Sequence, residues 1–378
     1  MRRLLPLLLA LLATPAAAFE PTGNAVADGF LRIVESGGFD DVAFAAAQRA
    51  DRGTVLTGLS ASARNERLEI GTVVIVDGLI DADNGLRAEA IQYRDMRMTN
   101  TADAASHSTA GMLTLARPHL PMRDGGGSWL ETVLGDFESL LAQDVAARPA
   151  AGRALEVGRI EVTRADEGGP WSGRVAFQAA RVDAAFFQGT AGTYLTDLGY
   201  DTLTISGALE GLWSAGEGTL AVREASLAAD GVGALVVSGA AEGLSAERIA
   251  AIRDNAGALP QMLPLLTDVR LESLTLAFRD GGLVQRLVTR TVERSGDTVE
   301  KVRSDAVATV DSLLALVGVP ALQAQVTDAV RRFLANPGTL AVNLAPPASV
   351  NAAQIVGGAL LKPDALPQLL NFSISATP

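Results

Sequence analysis

The chain has no cysteine. That excludes disulfides, thiolate metal sites, a cysteine nucleophile and a lipidated N-terminal cysteine. Aromatic residues are only 4% of the 378 residues, so the core is built from Leu, Val, Ile and Ala, and platforms for stacking sugars are scarce. The three tryptophans, Trp129, Trp171 and Trp213, are scattered and read as packing. Only Lys301 and Lys362 are lysines; every other base is arginine. There are no basic clusters and the net charge is -12, so nucleic acid and anionic surfaces are poor partners. Beyond the N-terminus, no apolar run approaches the ~20 residues that span a bilayer.

A secretory signal is present. Arg2-Arg3 is a basic n-region, Leu4 to Leu12 a short apolar h-region, and Ala16-Ala17-Ala18 a small-residue cleavage site. Residues 1–18 are therefore expected to be removed. The mature chain, from Phe19, then has 29 basic residues against 43 acidic ones. The expected location is periplasmic or secreted, without a transmembrane span in the mature chain.

With 48% hydrophobic residues the chain can bury a sizeable core. The informative stretch is Leu68 to Met98. It reads as a β-hairpin with apolar positions Leu68, Ile70, Val73 and Ile75 on one arm and Ile91, Tyr93, Met96 and Met98 on the other. Asp83-Asn84-Gly85 lies between them, and Asn-Gly suits a type I′ turn with two positive-φ residues. Each arm places two apolar residues at alternate positions, slips by one, and places two more.

The same spacing recurs in Leu155-Val157-Ile160-Val162, Val175-Phe177-Ala180-Val182, Leu220-Val222-Ala225-Leu227 and Val269-Leu271-Leu274-Leu276. The intervals between copies are irregular, so this is no fixed-period solenoid. The slip of phase is what a β-bulge produces, or a strand crossing from one packed layer to another.

Around these strands the pattern predicts a helix from Ala25 to Val34, a strand over Thr54 to Ser60 and a polar connection over Thr99 to Ser108. A helix is expected from a Ser128 cap to about Ala147, along Trp129, Val133, Phe137, Leu140 and Leu141. Another is expected from Ser245 to Leu266. The C-terminal third reads as mostly helical, with helices after Gly282, over Thr298 to Val317 and from Pro320 to Leu334. Two closing strands, Thr339–Leu344 and Asn371–Ala376, flank a short helix over Ala352–Leu361. The expected architecture is α+β: a long curved, mostly antiparallel sheet of bulged strands packed with helices. The sections run over 19–150, 151–278 and a helix-rich 279–378.

Chemistry is hard to find. His107 and His119 have no metal-like spacing. Asp81-Ala82-Asp83-Asn84-Gly85 faintly resembles a calcium loop, but it lacks the third ligand and the closing glutamate. Gly125-Gly126-Gly127-Ser128 lacks the Lys-Ser/Thr ending of a phosphate loop. No Gly-x-Ser-x-Gly elbow occurs. No catalytic, cofactor-binding or metal-ligating residue is assigned.

Segments such as Leu68-Glu-Ile-Gly-Thr-Val-Val-Ile-Val and Val269-Arg-Leu-Glu-Ser-Leu-Thr-Leu resemble those of AsmA-like and related uncharacterised bacterial periplasmic envelope proteins. The resemblance covers Thr54 to Phe278. It implies a trough-shaped sheet with an apolar inner face and a role in lipid handling or envelope maintenance. The expected function is a non-enzymatic envelope protein that binds lipid or another apolar ligand. The alternatives are a scaffold for an envelope protein partner, with a filled core, and an enzyme without a recognisable motif.

Overall fold

The computed structural model describes residues 19–63, 65–122, 129–149, 154–165, 171–187, 190–255, 264–316 and 318–378. The expected signal, the Gly125–Ser128 loop with its cap, the turn over 166–170 and most of 256–266 lie outside them. The chain divides into two compact units, Met1–Ala154 and Leu155–Pro378.

The first unit opens with α1 (Ala25–Ser36). Asn24 caps it: its Oδ1 accepts from the backbone N–H of Val26 at 3.0 Å and of Ala27 at 3.2 Å. The Asn24 amide also donates to Thr54 Oγ1 at 3.0 Å, tying the helix start to the sheet. The strands are β1 (Asp40–Ala43), β2 (Ala46–Ala50), β3 (Gly53–Ala63), β4 (Glu66–Val76), the short β5 (Leu79–Ile80) and β6 (Leu86–Arg87), then β7 (Ala90–Asn100), β8 (Asp103–Ala116), β9 (His119–Leu120) and, after α2 (Trp129–Leu134), β10 (Ser139–Arg148). The main order is β1-β3-β4-β7-β8-β10, with β2 also on β3; β5-β6-β9 form a small separate sheet.

Leu56, Leu59, Leu68, Ile70, Ile75, Ile91, Tyr93 and Leu115 are fully buried with Phe30, Leu31 and Ile33 of α1. Each such side chain removed from water stabilises by ~1.5–3 kcal/mol. The Tyr93 hydroxyl, inside this core, donates to the Val133 carbonyl at 2.8 Å. Burial pushes its ionisation far above the usual tyrosine range.

The arms of the expected hairpin pair as read: Leu68↔Met98, Ile70↔Met96, Val73↔Tyr93 and Ile75↔Ile91. All eight of these side chains are buried. Their slip of phase is neither a bulge nor a layer crossing. Ile70 pairs Met96 and Thr72 pairs Arg94, so Gly71 and Asp95 face each other with no residue gained. Asp95 has φ 54°. Both strands change phase together, and the core face stays apolar on either side.

The device runs across the unit. Gly58, at φ 62°, faces Gly71 from β3; Gly111 of β8 faces both Asp95 and, on β10, Asp144, whose φ is 53°. A Cβ on Gly71 would lie 3.1 Å from the Asp95 Cβ, and one on Gly111 3.2 Å from that of Asp144. A left-handed residue on one strand thus requires a glycine on the next.

Three expectations for this unit are corrected. Asn84-Gly85 does not join β4 to β7; it closes the β5–β6 hairpin, and only Asn84 has positive φ, at 60°. Asp81 O accepts from Asn84 N at 3.1 Å and Asp81 N donates to Gly85 O at 2.9 Å, a three-residue loop with its last residue left-handed. The Thr99–Ser108 connection is mostly strand, since His107 and Ser108 pair with Thr99 and Met98. The helix expected to Ala147 stops at Leu134. Gly135 turns the chain at φ 54°, and Ser139–Arg148 pairs with β8 instead. Leu140 and Ala142 alternate into the core there, and hydrogen bonding to β8 outweighs the helical spacing of Phe137, Leu140 and Leu141.

The second unit contains β11 (Leu155–Ala165), β12 (Trp171–Asp183), α3 (Thr190–Asp197), β13 (Thr202–Ser214), β14 (Thr219–Ala229), β15 (Gly233–Glu242), α4 (Ala246–Asp254) and β16 (Arg270–Asp280). Then come α5 (Leu283–Ser295), α6 (Val299–Ala315), α7 (Pro320–Ala335), β17 (Thr339–Leu344), β18 (Val350–Asn351), α8 (Ala352–Leu361), α9 (Leu366–Leu369) and β19 (Ser373–Thr377). The order is β11-β12-β13-β14-β15-β16-β17-β19, antiparallel, with β18 on β16. Helices and strands share the C-terminal section. Among the described residues no helix is long and apolar enough to cross a membrane.

Here β11 slips as in the first unit, with Ala179 at φ 55° facing Gly158 and no residue gained between those two strands, while the other slips coincide with bulges. Register shifts between Phe177 and Ala180 on β12, and between Val222 and Ala225 on β14. On β16, Ala240 and Ala241 pair with Ser273 and Leu271, leaving Glu272 as the extra residue. The straight partners β13 and β15 alternate strictly.

We predict that Asp95→Val, which forces a β-branched residue to φ 54°, lowers stability by about 1–3 kcal/mol in urea titrations, whereas Asp95→Gly leaves it unchanged or raised. Equal stability of the valine variant would remove the left-handed kink from the account.

Candidate functional site: an uncovered apolar sheet face

Cross-strand pairing in the second unit places large apolar residues in two adjacent rows on one face. One row runs Leu227↔Leu235, Leu235↔Phe278, Phe278↔Leu340 and Leu340↔Ala376. The other runs Val175↔Leu209, Leu209↔Ala225, Ala225↔Val237, Val237↔Leu276 and Leu276↔Val342. The bulges keep this face uniform. Without the extra residue at Arg223, Leu220 and Val222 would point away from Ala225 and Leu227.

One end of the face is covered. Val284 and Val288 of α5 and Phe333 of α7 form a buried cluster against Phe278, Leu340 and Ala376. Phe278 and Phe333 meet edge to face with centroids 6.2 Å apart. Asp280 sets α5 in place: its Oδ1 accepts from Val284 N and its Oδ2 from Gly282 N, both at 2.9 Å. Arg286 lies over the Tyr200 ring at 4.4 Å and Arg294 bonds Asp197 at 2.8 Å, which anchors α5 to α3 and its flank.

The other end is open. Val175, Leu209, Leu227, Leu235 and Leu276 are 37–52% exposed. Strands lie ~4.8 Å apart, so β12 to β16 offer about 19 Å of apolar width. The reverse face is smaller and more charged, with the half-exposed Leu212 at one end. It carries Ala176, Ala208, Ser226 and Val236 in one paired row and Arg174, Glu210 and Glu224 in the next. The asymmetry matters more than the exposure of any one residue. Isolated surface leucines are ordinary, while a contiguous one-sided patch marks a binding surface.

Of the residues weighed in the sequence, Trp213 lies on this face, four residues along β13 from Leu209 and paired with Leu220, while the histidines and the Asp81 loop are placed in the first unit. His107 is half-buried on β8, its Nδ1 3.1 Å from the Ala105 carbonyl. Trp213 donates Nε1–H to Leu244 O at 2.7 Å and holds the chain between β15 and α4. His119 and the Asp81 loop do meet. Asp81 Oδ1 accepts from the backbone N–H of Asp83 and Gly85 at 3.1 and 2.8 Å. Its Oδ2 lies 3.1 Å from His119 Nε2 and 3.3 Å from Arg87 Nε. Burial works to raise the Asp81 carboxyl. The Gly85 and Asp83 amides, with Arg87 and His119, outweigh it and hold the carboxyl below its usual range. The loop therefore spends its carboxylate on its own backbone and on β6 and β9. Among the described residues no group of three or more potential ligands could hold a metal ion.

The first unit has a polar cavity of about 580 Å³ between the start of α1, the β2–β3 turn and Asp77–Gly78. Of its polar groups, Asn24 is engaged in the helix cap and Arg52 with Asp77 and with Glu89. Glu35, which burial pushes above the ordinary carboxylate range, is outside the residues that line it.

The profile of a family described as "Uncharacterized protein" matches residues 226–377, from within β14 to the last strand. No curated protein matches the chain.

The Asp81 network has a signed pH dependence. A carboxyl lowered by folding stabilises above its ordinary value of 3.8 and loses that contribution as the pH falls through the folded value. Melting curves of the natural chain and Asp81→Asn should therefore differ at neutral pH and converge well below 3.8. A gap that persists in acid would mean that Asp81 acts through packing rather than charge.

Proposed function

We propose that this is an exported, non-enzymatic envelope protein that holds lipid or another apolar ligand on the open face of its second unit. The observation that carries the reading is the one-sided set of half-exposed large apolar residues, Val175, Leu209, Leu227, Leu235 and Leu276, beside helices that cover the end of that face around Phe278 and Leu340. Its ~19 Å width exceeds the ~15 Å of half a bilayer's hydrocarbon core, so an acyl chain lying across the strands would be shielded along its length. The resemblance to AsmA-like envelope proteins and the export signal point to the same class of ligand. A ligand recognised by apolar area alone needs no charged anchor, in keeping with two apolar rows whose paired positions carry none.

Protein purified from cells under mild conditions should yield extractable lipid and a lipid-bound species in native mass spectrometry. Leu227→Glu with Leu235→Glu should remove most of it with little loss of stability, because both side chains are solvent-facing. Lipid-free natural protein that also fails to bind a fluorescent acyl probe would overturn the reading.

A further inference from the structure

We propose that the turn joining α6 to α7 inserts into the surface of a lipid bilayer. This deepens the reading above and rests on it for its purpose, since a carrier of acyl chains must meet the membrane that supplies or receives them.

The turn is a projection, not a groove. Leu316 is 84% exposed and Leu313 61% exposed, the first beyond the last turn of α6 and the second within it. Ala315, Gly318, Pro320 and Ala321 are exposed as well. A Cβ built on Gly318 meets nothing within 4 Å, so the chain there runs through open space. Residues 312–327 contain no charged side chain.

The first charge behind the tip is turned inward. Asp311 Oδ1 accepts from Gln323 Nε2 and from Thr327 Oγ1, both at 3.0 Å, and so bridges α6 to α7. From Asp311 to Leu316 the helical rise is about 7.5 Å. That matches the ~5–10 Å to which interfacial apolar groups sink below the headgroups. Val319 behind the tip is 3% exposed, and Pro320 fixes the start of α7.

A protein partner would need a matching pocket and gains from polar groups at a rim. The polar residues beside this tip, Ser312, Gln323 and Gln325, are uncharged, and a hydrocarbon layer asks only for apolar projections without charge. No arginine or lysine flanks the turn; Lys301, Arg303, Arg331 and Arg332 lie farther along the helices. Attachment should therefore be insensitive to salt and should not require anionic lipid.

The test is flotation of the mature chain with phosphatidylcholine vesicles, with and without phosphatidylglycerol, at low and high salt. The natural protein should float equally under all four conditions. Leu313→Asp with Leu316→Asp should lower the bound fraction at least tenfold while the thermal melt and the extractable lipid are retained. Leu313→Met with Leu316→Met should still float. The sheet-face pair Leu227→Glu and Leu235→Glu should float normally but carry no lipid. If the natural protein stays in solution, or the aspartate variant floats like it, the inference fails. If the natural protein floats but never carries lipid, the ligand-binding reading fails while the membrane contact stands.

Discussion

The slip of side-chain phase in the middle of the strands is the constraint from which the rest of the structure follows. A strand shows its two faces by turns, so a long strand with apolar residues at positions 1, 3, 6 and 8 would put half of them in water. This chain avoids that in two ways. In the first unit a left-handed residue on one strand is matched by a glycine on its neighbour, as Asp95 is by Gly71, and both strands change phase together. In the second unit Ala179 faces Gly158 in the same way, and an extra residue is inserted on every other strand, near Gln178, at Arg223 and at Glu272. Both devices keep one face apolar along its length.

The consequences differ between the units. In the first, α1 covers the apolar face, and the side chains beneath it are among the least exposed of the chain. In the second, α5 and α7 cover only the part around Phe278 and Leu340. The remainder is left half-exposed. A surface whose only role was to meet water would carry the arginines, glutamates and small residues found on the reverse of the same strands.

Much of this was legible in the residues. The spacing Leu68-Ile70-Val73-Ile75 and its recurrences mark the slipped strands β4, β7, β11, β12, β14 and β16. The straight strands β13 and β15 lack it because they alternate strictly. Which device makes the slip was not legible, since Gly71 and Arg223 give the same spacing of apolar residues. The expected helix through Leu140 failed because Phe137, Leu140 and Leu141 fit a helical stripe while Leu140 and Ala142 also alternate as in a strand, and only pairing with β8 decides between them. The strand through His107 was hidden by its polarity: Asp103 to Ser108 has no apolar alternation to read. The open face itself could not be seen, because a half-exposed Leu235 and a buried Leu56 look the same in a sequence. Exposure is decided by how far the helices reach.

The most direct measurement is photo-crosslinking in cells from a benzophenone side chain placed at Leu227, followed by mass analysis of the adduct. The account predicts an adduct with the mass of a lipid, and no such adduct from the same group at Ser226 on the reverse face. A protein adduct at Leu227, or equal lipid labelling from both faces, would contradict it.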